Sequence, residues 1–296
     1  MTAIDVVWLV DMDPPSEAGG GKGFYPASTR DDPPDAAVMR ARFDAVRAAV
    51  LTEAGGKAVL TVHTSPRYRD HFFREPYASI WRRFVDDGVG LALHPHEERA
   101  DGTSLYDDLG HLDAVVAACV ERARAIKLPL RAFRSGGFSF HPRLPSLLRR
   151  AGLDLDLSAA PGLTDPVRCV RWPTAEQARG RVEGQDGAAV LQVPLGWDGE
   201  GTDLDRNYLF NERTDLAGLQ RVWDGVRRTT NRDGVPRVVN FLTHGFGLVQ
   251  SEWRRQAADF LRFVALHGGR IVSADEAVEC LGCGIEPRFR ASAGRA

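Results

Sequence analysis

The feature that most constrains this chain is an alternation. Short apolar runs of strand length recur along it, and helix-length amphipathic segments separate most of them. The first run, Ile4-Asp-Val-Val-Trp-Leu-Val10, is β-branched, aromatic and almost wholly apolar, as a strand buried on both faces must be. Further strands are predicted over 57–63, 90–94, 129–133, 153–158, 190–195, 238–242 and 270–272. Helical periodicity covers 36–54, 76–87, 105–126, 145–151 and 252–267, and a final helix follows. Strands that alternate with helices build a mainly parallel sheet. Seven or eight of them suit a closed or nearly closed barrel better than an open sheet.

The 296 residues fit one domain of this kind, since α/β barrels of roughly 200–250 residues commonly fold as a unit. Two longer loops interrupt the alternation, at 14–35 and 161–187. The first is rich in Gly, Pro and Asp and of a length typical of lids, binding loops or disordered segments, with Phe24 and Tyr25 placed to stack on a substrate.

Several function classes are excluded. A formal charge of -2 provides no electrostatic footprint for nucleic acid or an anionic membrane. No apolar run approaches the roughly 20 residues of a membrane span. The start has no basic segment and Asp11 interrupts its apolar stretch, so no signal peptide is expected. Cys280-Leu-Gly-Cys283 has no second pair to complete a four-sulfur site, and four cysteines make no disulfide framework in a chain this long. A reduced, cytoplasmic protein is predicted. No G-x-G-x-x-G follows the first strand, which argues against a nucleotide-binding doubly wound fold.

Chemistry collects where strands end. The first runs into Asp11-Met-Asp13, the third into His94-Pro-His96-Glu97-Glu98, the fourth into Arg134, and a late one into Thr243-His244. His63 ends the second and faces the same cleft or serves as a structural histidine. Imidazole and carboxylate are ligands that a transition metal such as zinc favours. If these ends share the carboxyl face of one barrel, they support metal-assisted hydrolysis. A carboxylate takes the proton of water, a histidine protonates the leaving amine, and Arg134 holds the base ionised and oriented.

These segments resemble the polysaccharide deacetylases, carbohydrate esterase family 4, over roughly residues 4–280. Leu9-Val-Asp-Met-Asp13 is similar to the family's first motif and Val89-Gly-Leu-Ala-Leu-His-Pro-His96 to its second. Phe133-Arg-Ser-Gly-Gly-Phe-Ser139, Asp154-Leu-Asp-Leu-Ser158, Gln192-Val-Pro-Leu195 and Phe241-Leu-Thr-His244 resemble later ones in the same order. The resemblance implies a distorted (β/α) barrel of about seven parallel strands. It implies Asp11 as base, Arg134 as its orienting partner and His244 as acid. Asp13, His94 and His96 would hold a divalent metal, usually zinc. His63, Gly136, Phe138 and Trp197 are expected to line the substrate pocket.

The chain departs from the pattern twice. Met12 separates the aspartates, which leaves exchange of base and ligand roles open. The histidines are two apart, so joint ligation is expected to depend on a bend at Pro95, with Glu97 or Glu98 as the substitute for His96. The implied activity is removal of an N-acetyl group from an amino-sugar-like, small-molecule or saccharide substrate. Hydrolysis of a cyclic amide or ureide, or carbohydrate binding without turnover, are the alternatives.

Overall fold

The computed structural model describes residues 4–14, 36–66, 68–99, 101–174, 180–184, 187–235 and 237–282. The expected features in residues 15–35 and at Cys283 lie outside that set. Strand β1 (Ile4–Asp11) is buried throughout and leads to helix α1 (Ala36–Ala54). Then come β2 (Val59–His63), the short α2 (Arg69–Phe72), α3 (Tyr77–Asp86), β3 (Gly90–His94) and α4 (Leu109–Ala125). The second half runs β4 (Leu130–Phe133), α5 (Leu144–Ala151), β5 (Leu155–Asp156), β6 (Thr164–Asp165), β7 (Val170–Arg171), β8 (Arg181–Glu183) and β9 (Ala189–Gln192). It ends with α6 (Leu216–Asp233), β10 (Arg237–His244), α7 (Gly245–Val249), α8 (Ser251–Leu266), β11 (Gly269–Val272) and α9 (Ala274–Gly282). Among the described residues no helix is long and apolar enough to cross a membrane.

The main sheet runs β10-β1-β2-β3-β4-β5-β9, all parallel, with β8 antiparallel on the edge of β9 and β11 parallel to the start of β1. It curls until Leu195 bridges Asn240 of β10, so single bridges rather than a ladder close the gap. This is the expected distorted barrel of about seven parallel strands. Helix bounds differ from the sequence pattern where caps intervene. The fourth helix starts at Leu109 rather than 105 because Asp108 caps it, accepting from the His111 N–H at 3.0 Å. The 161–187 stretch is not wholly irregular, since β6 pairs with β7 and β8 joins the main sheet.

Side chains alternate across the curled sheet, and the sheet divides two apolar cores. Val6, Trp8 and Val10 of β1, Leu60, Leu93, Phe133 and Phe241 pack outward on the helices. Val7, Leu9, Val59, Ala92, Ala132, Leu155 and Leu242 fill the barrel interior. Further along the same inward rows stand Asp11, His63, His94, Arg134 and His244. The site is thus the uppermost layer of the interior, where the same period of two that buries Leu9 and Ala92 delivers polar side chains instead.

Candidate metal centre

Strand register sets the layer. Asp11 pairs with His244 across β1 and β10, and His63 pairs with His94 across β2 and β3. Leu9 lies opposite Val59, and continuing that register past the end of β1 sets Asp13 beside His63. Asp11 and Asp13, two apart, share one face despite the intervening Met12, whose N–H donates to Thr61 Oγ1 at 2.9 Å.

His94 and His96 are also two apart, so extended backbone alone puts them on one side. The bend expected at Pro95 is not what unites them. Pro95 follows the last residue of the ladder, and its carbonyl accepts from Gly136 N–H at 3.0 Å and Tyr106 Oη at 2.9 Å. Nε2 of His96 then stands 3.1 Å from Nε2 of His94. Glu97 faces elsewhere, its oxygens taken by Arg69 and by His111 Nε2. Glu98 sits behind His96, Oε1 lying 3.3 Å from Nδ1.

Asp13, His63, His94 and His96, all buried, bring one donor atom each within 4.8 Å of one another. Asp13 Oδ1 is 2.9 Å from His63 Nδ1, 3.3 Å from His94 Nε2 and 3.9 Å from His96 Nε2. The outer nitrogens are fixed in the way that second-shell partners fix ligating histidines. Nδ1 of His94 donates to the Arg134 carbonyl at 2.7 Å, and Nδ1 of His96 meets Glu98. In neutral rings the two inward nitrogens are therefore lone pairs facing one another, a repulsive contact that a cation between them relieves. Ligands about 2.0–2.1 Å from a tetrahedral ion stand roughly 3.3–3.4 Å apart, close to the spacing of these atoms. The donor set fits a transition metal.

Electrostatics agree. Burial opposes the charge on Asp13, but the hydrogen bond from His63 and the imidazoles of His94 and His96 around it outweigh burial and hold the carboxyl well below its usual range. Burial pushes His63 down to about 4 against the pull of Asp13, so that ring is neutral. For His96 the Glu98 bond and the Asp13 charge overcome burial and raise the ring above its ordinary value.

Two pairs flank the cluster. Arg134 Nη2 lies 3.5 Å from Asp11 Oδ2, which is 3.9 Å from His94 Nε2, while the buried Asp11 Oδ1 has no hydrogen-bond partner among the described residues. His244 Nε2 is 3.9 Å from Asp13 Oδ2, and Glu212 takes its other side, 3.3 Å from Nδ1 and 2.8 Å from the backbone N–H. Burial would lower the His244 pKa, but Glu212 and the two aspartates raise it. Phe210 and Phe246 stack on the His244 ring at 5.3 and 4.9 Å.

The residues expected to line the pocket divide. His63 joins the donor cluster. Gly136 is a floor for the metal side: a Cβ there would stand 2.7 Å from His96 Cγ and 2.8 Å from the Pro95 oxygen. Phe138, itself at φ 62°, holds its ring 4.1 Å from the Arg134 guanidinium. Trp197 is anchored in the interior core, its indole N–H donating to the Gly201 carbonyl and its backbone pairing with Tyr208. Glu212 was not foreseen. It occupies a three-residue helical turn, Asn211–Arg213, brought to His244 by the bridge between Phe210 and Leu242, and no local pattern announces it.

No protein-family model matches the chain. Solved structures do resemble it. A proposed polysaccharide deacetylase from Mycobacterium smegmatis aligns at TM-score 0.60 and 12% identity, over 97% of this chain and 96% of its own. Puue allantoinase aligns at 0.58 and 10% identity, over 94% and 90%. A second proposed polysaccharide deacetylase, from Pseudomonas aeruginosa PAO1, aligns at 0.57 and 11% identity, over 94% and 90%. The chain therefore has the fold of the polysaccharide deacetylases, which is also the fold of an allantoinase.

Proposed function

We propose that the chain is a metal-dependent hydrolase, acting as one catalytic domain, that removes an N-acetyl or other N-acyl group from an amino-sugar-like substrate. The observation that supports it is the convergence of Asp13, His94 and His96 beside an Asp11–Arg134 pair and a His244–Glu212 pair. Asp13, His94 and His96 would hold the ion, and zinc suits two imidazoles with one carboxylate. Such an ion, when bound, supplies Lewis acidity toward a carbonyl oxygen and lowers the pKa of water.

The remaining steps belong to the protein. Asp11 is the base, and its buried Oδ1, without a hydrogen-bond partner among the described residues, can accept a water proton. Arg134, 3.5 Å away, fixes that carboxylate in direction. His244 is the acid: Glu212 faces Nδ1, and the raised pKa favours the doubly protonated ring that can give Nε2–H to the leaving amine.

Zinc stoichiometry of the wild-type protein and of His94→Ala, measured together with acetate release from N-acetylated amino sugars, tests this. Stoichiometric zinc and acetate release in the wild type, both lost in the variant, are expected. Full activity after metal removal would overturn the metal role. The allantoinase likeness motivates a second reading, hydrolysis of a cyclic amide or ureide at the same residues. A panel of N-acetyl sugars and cyclic ureides separates the two, and turnover of ureides alone transfers the assignment.

A further inference from the structure

Four donors converge, yet a catalytic zinc keeps three protein ligands and an open fourth position. His63 differs from the other two histidines in how it meets Asp13. Its Nδ1 lies 2.9 Å from Asp13 Oδ1, an ordinary N–H···O length, so a proton stands between them. Its Nε2 lies 2.8 Å from Ser65 Oγ, whose O–H can fill that nitrogen's lone pair. The inward nitrogens of His94 and His96 stand farther from the same carboxylate oxygen, at 3.3 and 3.9 Å.

The surroundings fix this arrangement. His63 and Ser65 are fully buried. The Ser65 carbonyl accepts from the N–H groups of Tyr68 and Arg69 at the start of α2, which anchors the residue. The His63 ring stacks on His96 at 5.0 Å and meets Tyr68 and Phe72 edge-on.

We infer that His63 is a positioning residue for Asp13, donating Nδ1–H to Oδ1 and accepting the Ser65 hydroxyl at Nε2, and that Asp13, His94 and His96 alone hold the metal. The inference rests on the metal-dependent reading above. Its consequence is an open coordination position, kept because the fourth converging side chain spends its nitrogen on the carboxylate.

Isotope-labelled imidazole nitrogens observed by NMR test it directly in the full chain. Metal-free protein is expected to show His63 as the neutral Nδ1–H tautomer, unchanged on loading with an NMR-active cadmium ion. The cadmium is expected to couple to Nε2 of His94 and His96 and not to His63. His63→Ala should weaken zinc binding about 10–100-fold, as loss of an outer-shell partner does. His63→Asn, whose amide donor can stand where Nδ1 stood, should recover most of that loss. Cadmium coupling to His63, or equal losses in both variants, would overturn the inference while leaving a metal enzyme. Wild-type protein that takes up neither zinc nor cadmium would overturn both.

Discussion

Strands β1 and β10 carry buried charge at both ends, and the two ends treat it differently. At the amino end Asp5 receives two bonds from Arg270, at 2.9 and 3.0 Å, and Arg237 is met by Asp233 and by Thr229 Oγ1. Each charge there finds its opposite, which is what a folded chain needs in order to tolerate burial. At the carboxyl end two carboxylates, Asp11 and Asp13, face one guanidinium and a ring of imidazoles. One Asp11 oxygen has no partner among the described residues, and two histidine nitrogens are turned on each other at 3.1 Å. Buried polar groups left in that condition are costly for stability alone. The amino end pairs its charges within the chain, whereas the carboxyl end turns donors on one another that a bound cation would satisfy.

The largest effect expected from this contrast is at Asp11. Asp11→Asn should lower kcat by about 10²–10⁴, the usual worth of a general base, while thermal unfolding shows no loss of stability. A variant destabilised as strongly as an amino-end variant would break the contrast. Next comes Gly136→Ala, whose methyl would displace His96. It should weaken zinc binding by about 10–100-fold, read by competition with a chelator, because the ligand's setting is disturbed. Arg270→Ala acts at the other end. It should cost about 1–2 kcal/mol in denaturant unfolding, more than an exposed pair because Asp5 is buried, and leave activity untouched.

The contrast also marks how far the sequence could be read. The period of two in each strand is local, so the alternation that buries Leu9 and Leu242 also predicts that Asp11, His94, Arg134 and His244 share a layer. The barrel follows from strands and helices in turn, and β1, β2, β3, β4 and β10 stand where their apolar runs do. Residues that arrive through single bridges and short turns carry no such period. Glu212 reaches His244 on a three-residue helical turn, and the bend of the sheet, rather than any spacing, makes Gly136 a floor for His96. His63 was legible as a strand end, but its hydrogen bond to Asp13 depends on a register between two strands. Trp197, an aromatic in a polar stretch, is equally compatible with a sugar platform and with the core position it takes.

Glu97 sharpens the contrast, for it lies one residue from His96 and is nevertheless closed as the amino-end charges are. Arg69 holds one oxygen, and His111 Nε2 stands 2.6 Å from the other. The bond to Glu97 raises the His111 pKa above 6.5, with burial opposing it. A folded-state pKa above the unfolded one means that protonation stabilises the fold. The contribution is complete below the unfolded value near 6.5 and disappears as pH rises through the folded value. The imidazole is 33% exposed, so solvent screening limits it to a few tenths of a kcal/mol. Urea unfolding of wild type and His111→Gln across that range should give a difference that is largest on the acidic side and vanishes on the alkaline side. Its pH dependence would mark Glu97 as a closed structural charge, and a difference independent of pH would place the contribution of His111 in packing instead.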